Sequence, residues 1–125
     1  MSTLADTLAL QLRTSKILPA FEREVRFHPK RLWRLDFFER SRKLAVEVNG
    51  GIYIPGGGRH NRGAALEKEY EKLNAAAEMG IVVLLYGPKA VANGNALRNI
   101  ECCWQMLRPT REELYEQIEK LEDKH

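Results

Sequence analysis

The chain has 125 residues, 44% of them hydrophobic and 30% charged, with a formal net charge of +3. These values suit one globular domain, large enough for a single core. No apolar run approaches the roughly 20 residues that span a bilayer, and the first residues lack the basic start and apolar middle of a secretion signal, so a cytoplasmic, non-membrane protein is expected.

In chain order, Leu4, Leu8 and Leu12 recur at helical spacing and predict a first helix over residues 4–13. Residues 22–28 alternate, with Arg23, Val25 and Phe27 set against Glu24 and Arg26, and read as a half-buried strand. Pro29-Lys30 turns the chain. Residues 33–38 form a second strand, residues 39–42 a turn and residues 43–49 a third strand, rich in apolar side chains at Val46 and Val48. Residues 55–63 make a basic loop rich in glycine. A helix follows over residues 64–79, with Leu66, Tyr70, Leu73 and Ala77 as its expected apolar stripe and Gly80 as its C-cap. The unbroken apolar run 81–86 reads as a strand buried on both faces. Beyond Gly87-Pro88, Lys89–Val91 could open a helix that Asn93-Gly94-Asn95 interrupts. A helix is expected over 96–107, and a last one after Thr110, which forms a capping-box signature with Glu113. On it Leu114, Ile118 and Leu121 form a narrow seam suited to the protein's own domain or to a homodimer. The order predicts an antiparallel meander of three strands, joined by a crossover strand. All 125 residues read as one domain, with its core over about 4–91 and a helical C-terminal extension over about 96–123.

Basic residues crowd the middle of the chain between Arg23 and Arg62, while the last third is acidic, which suggests a surface facing a polyanion. The adjacent Cys102 and Cys103 are poorly placed to join each other and read as reduced structural residues.

The most informative residues are Asp36 and Glu47. A carboxylate within a strand is costly unless compensated, and two on neighbouring strands suggest a shared divalent cation. Side chains alternate along a strand, so an even-length turn puts both acids on one face, and an odd one separates them. Such hard oxygen ligands suit Mg²⁺ or Mn²⁺, with the Val48 carbonyl as a third ligand. An ion of this kind polarises a phosphoryl oxygen and acidifies bound water. The plain alternative is that each acid pairs with a nearby arginine.

Three stretches carry a resemblance: Arg31-Leu32-Trp33-Arg34-Leu35-Asp36-Phe37, Leu44-Ala45-Val46-Glu47-Val48-Asn49-Gly50-Gly51 and Gly57-Gly58-Arg59-His60-Asn61-Arg62-Gly63. Their order and spacing resemble the PD-(D/E)XK nuclease superfamily, and more narrowly the small phage and bacterial endonuclease-like domains related to the very-short-patch-repair fold. The resemblance covers about residues 4–91. It implies an α/β (α+β) fold with a restriction-endonuclease-like αβββαβ core, and a hydrolase that cuts phosphodiester bonds in DNA. It also implies that Asp36 and Glu47 hold the metal. The third motif position is Asn49 rather than lysine, and asparagine carries no positive charge. Lys72 and Lys68 are candidates for a lysine moved onto the following helix. His60 is a candidate general base or phosphate contact, and Arg59, Arg62 and Arg34 are candidate contacts to the DNA backbone. Some members take a further ligand from the first helix, where this chain offers Asp6 and Gln11. Duplex, mismatched or branched DNA are all open as substrates. The alternative function is a non-catalytic nucleic-acid-binding domain with a degenerate nuclease site.

Overall fold

Thr3 starts the first helix, α1 (Leu4–Thr14), with a complete capping box: its hydroxyl accepts from Asp6 N, and the Asp6 carboxylate accepts from Thr3 N, both at 3.1 Å. The computed structural model describes residues 3–48 and 62–123, without the side chain of Arg62. After α1 the chain forms β1 (Glu22–Arg26), β2 (Arg34–Glu39), β3 (Leu44–Val48), α2 (Arg62–Glu78) and β4 (Val82–Tyr86). It ends in α3 (Pro88–Ala92), α4 (Asn95–Met106) and α5 (Arg111–Glu122).

The four strands make one mixed sheet in the order β1-β2-β3-β4. β1, β2 and β3 are the expected antiparallel meander, and β4 joins β3 in parallel after the α2 crossover. Four residues, 40–43, link β2 to β3. Buried Glu39 organises this turn by accepting from Ser41 N and Oγ and from Arg42 N. Lys43, in the left-handed region at φ 54°, completes the reversal.

Alternation along β3 divides the core. Leu44 and Val46 pack with Phe37 against Leu8 and Leu12 of α1, Val91 of α3, and Ile100 and Trp104 of α4. On the other face Ala45 and Phe38 pack with Ala76 of α2 and Ile81. The packed core therefore runs past residue 91 to include α4. Arg42 donates to the Trp104 carbonyl at 2.8 Å, lies over the Trp104 ring, and pairs with Glu113 at the start of α5.

Three expectations need correction. β4 is not buried on both faces: Val82 and Leu85 are exposed, because β4 is the edge of the sheet among the described residues. An apolar run reads the same at an edge as in the middle. The sheet-facing line of α2 is not the expected stripe. Ala76 is fully buried, whereas Tyr70 is 52% exposed and Ala77 is exposed. Small Ala76 sits in the cluster with Ala45 and Ile81, and this rotation of the helix turns Lys72 towards the sheet. Finally, α5 buries none of its residues, so its seam is not packed into the core that the described residues form.

α2 ends as expected. Gly80, at φ 74°, lets Ile81 N reach the Ala76 carbonyl at 2.9 Å, and Lys43 Nζ donates to the Met79 carbonyl.

Candidate functional site

The register of β2 against β3 decides whether the two acids meet. Phe37 pairs with Val46, Phe38 with Ala45 and Glu39 with Leu44, so the next step sets Asp36 across from Glu47. The four-residue turn supplies the even spacing that puts both on one face. They share the side of Phe38 and Ala45, the face covered by α2. The two residues are also joined by hydrogen bonds. Asp36 N donates to Glu47 Oε2 at 3.4 Å, and Val48 N donates to Asp36 Oδ2 at 2.8 Å.

Lys72 completes the cluster. Four helix residues rise about 6 Å, and two strand residues advance about 6.6 Å. With Ala76 packed in the Ala45 cluster, the residue one turn earlier on α2 therefore lies over Glu47, two residues further along β3. That residue is Lys72, and its ammonium pairs with Glu47 Oε1. The two side chains are only 12% and 5% exposed. Neither Glu69 nor Glu71 takes this lysine, and Glu71 instead pairs with Arg31 at 3.2 Å.

Burial pushes the Glu47 carboxyl up to about 7; Lys72 opposes this rise, and the nearby Asp36 charge adds to it. Two carboxylates and one lysine leave the cluster with excess negative charge when both acids are ionised. Asp36 Oδ1 has no hydrogen-bond partner among the described residues. Among those residues no three His, Cys, Asp or Glu side chains gather into a metal-binding group. Mg²⁺ does not require such a group: it is commonly held by one or two carboxylates and keeps several waters. The donor set of Asp36, Glu47 and the Val48 carbonyl fits an ion of that type.

Of the other candidates, Arg34 lies two residues before Asp36 on β2 and is exposed. Lys68 is exposed one turn before Lys72. Asn49, Arg59 and His60 lie outside the described residues, and Arg62 is described only as the first residue of α2. The first helix brings no further acid to the site. Asp6 caps α1 and pairs with Arg23, while Gln11 Nε2 donates to the Val91 carbonyl at 2.9 Å. His28 is structural: its Nδ1 accepts from Lys30 N and Arg31 N in the β1–β2 turn.

Sequence reasoning missed Arg31. Its guanidinium lies 4.5 Å from the Trp33 ring centroid, and its pair with Glu71 ties the β1–β2 turn to α2. The available signal was the two-residue spacing of Arg31 and Trp33, which puts both side chains on one side of an extended chain.

No helix among the described residues is long and apolar enough to cross a membrane. Comparison with known proteins finds no matching family model, no matching curated protein and no matching solved structure.

Proposed function

We propose that this protein is a metal-dependent DNA endonuclease built on a restriction-endonuclease-like core. The observation that carries the proposal is the placement of Asp36 directly across from Glu47 on the α2-covered face of the sheet. Asp36, Glu47 and the Val48 carbonyl would hold Mg²⁺ or Mn²⁺. When bound, such an ion supplies Lewis-acid polarisation of a phosphodiester and an acidified water.

The chain's own groups have separate tasks. Val48 N orients the Asp36 carboxylate, and Asp36 N approaches the Glu47 carboxylate from the neighbouring strand. Lys72 favours the ionised form of Glu47, the form that binds cations, despite burial. It also brings a positive charge to a motif whose usual lysine position is Asn49. Arg34, Arg59 and Arg62 are proposed to bind the DNA backbone, and His60 to move a proton at the attacking water.

Cleavage of a panel of linear, mismatched and branched DNAs in Mg²⁺ or Mn²⁺ tests this reading. Loss of several kcal/mol of charge stabilisation means that Asp36→Ala lowers the rate by about 10³-fold or more. Undiminished cutting by that folded variant would overturn the assignment. A second reading, a nucleic-acid-binding domain without chemistry, is favoured by Asn49 and by the occupation of one Glu47 oxygen by Lys72. It predicts salt-sensitive DNA binding with no cleavage and no metal uptake.

A further inference from the structure

We propose that α5 is a dimerisation helix that pairs antiparallel with α5 of a second copy of this chain. The proposal does not depend on the nuclease reading. α5 has 12 residues and buries none of them. Isolated helices of that length are marginal in water. Among the described residues its hydrogen-bonded ties lie in the first turn, through the Thr110 cap and the Arg42–Glu113 pair at 2.8 Å. The remainder presents Leu114, Tyr115, Ile118 and Leu121 to solvent, at 46%, 58%, 49% and 61% exposure.

Helix geometry shows which way this stripe points. Counting about 100° per residue from Ile118, Leu114 and Leu121 lie about 40° and 60° to one side and Tyr115 about 60° to the other. Glu113, the residue held by Arg42, lies about 140° away on that count. The attachment of α5 therefore turns the stripe away from its own domain.

Charge selects the occupant and its direction. Arg111 and Glu122 flank the stripe at opposite ends of the helix, within about 40° of Ile118, and both are exposed. A parallel pair would set Arg111 beside Arg111 and Glu122 beside Glu122. An antiparallel pair sets each Arg111 near the partner helix's opposite end, where Glu122 stands, and makes the contact twice about a two-fold axis near Ile118. The stripe is self-complementary in this arrangement, with the Leu114 end of one helix on the Leu121 end of the other. Four apolar side chains per copy make a small interface, so the dimer is expected to be concentration-dependent rather than obligate.

Sedimentation velocity of the full chain, from low micromolar to submillimolar concentration, tests the proposal. The wild type should move from the 14.4 kDa monomer towards twice that mass. Ile118→Asp should remain monomeric and, at the low concentration where the wild type is also monomeric, melt at the same temperature, since Ile118 is outside the core. Arg111→Glu should weaken association about tenfold or more, and adding Glu122→Arg should restore it, because only the antiparallel pair regains opposite charges. A wild type that stays monomeric throughout would overturn the proposal. So would Ile118→Asp dimerising like wild type, or single and double charge variants behaving alike.

Discussion

Lys72 on α2 and Glu47 on β3 form an ion pair whose two side chains are almost entirely removed from water. A lone lysine on a helix is ordinarily solvated, and its burial here is offset by the acid beneath it. Removing one partner of such a pair leaves an uncompensated group, whereas replacing both leaves none. Lys72→Met is therefore expected to lower unfolding stability by about 3 kcal/mol at pH 8, where Glu47 is left with an unpaired buried charge or must take up a proton. The double variant Lys72→Met/Glu47→Gln should recover most of that loss. Urea unfolding of the four species in a double-mutant cycle measures the coupling.

The raised Glu47 carboxyl gives a pH dependence of known sign. Its folded value of about 7 exceeds the ordinary 4.5, so the folded state holds this proton more tightly than the unfolded state does. The resulting stability is fully present below about pH 4.5 and is lost as pH rises through about 7, a difference of about 3 kcal/mol. Unfolding in EDTA across this range should show the decline in wild type and not in Glu47→Gln. Millimolar Mg²⁺ should offset the decline at pH 8, since a ligand that binds only the native form stabilises it.

Arg42 joins the sheet turn to the C-terminal helices through the Trp104 carbonyl, the Trp104 ring and Glu113. Arg42→Ala removes all three contacts and leaves the partners partly solvated. A loss of about 1–2 kcal/mol is expected. Hydrogen exchange should quicken throughout α5, whose only ion pair to the rest of the chain among the described residues is the one Arg42 makes. Protection in β3, within the packed core, should be unchanged.

Two glycines of the α2 region should respond oppositely to alanine. Gly80 sits at φ 74°, with only ordinary contacts where a Cβ would stand, so its strain is conformational. Gly80→Ala should cost about 1 kcal/mol. Gly63 lies in the first turn of α2 with nothing within 4 Å of an added Cβ, and Gly63→Ala should stabilise by a few tenths of a kcal/mol. Thermal melts of the two variants give the comparison.

Much of the meander was legible because short-range rules govern it. Alternation marked the strands, and the four-residue turn at 40–43 determined by parity that Asp36 and Glu47 share a face. What eluded the sequence was set by long-range packing. The stripe of Leu66, Tyr70, Leu73 and Ala77 looked like the buried side of α2, yet close packing at Ala76 rotated the helix and buried Lys72. Edge position, which no local pattern encodes, left Val82 and Leu85 of β4 exposed. The seam on α5 was visible, but its exposure in the folded chain was not.

Calorimetric titration with Mn²⁺ at pH 8 tests the central claim most directly, because it reads the shared cation without requiring the right DNA. The account predicts uptake of the ion by wild type and a loss of affinity of at least about 100-fold in Asp36→Ala, with circular dichroism and melting unchanged. Equal uptake by the variant, or no uptake by wild type at millimolar Mn²⁺, would contradict it.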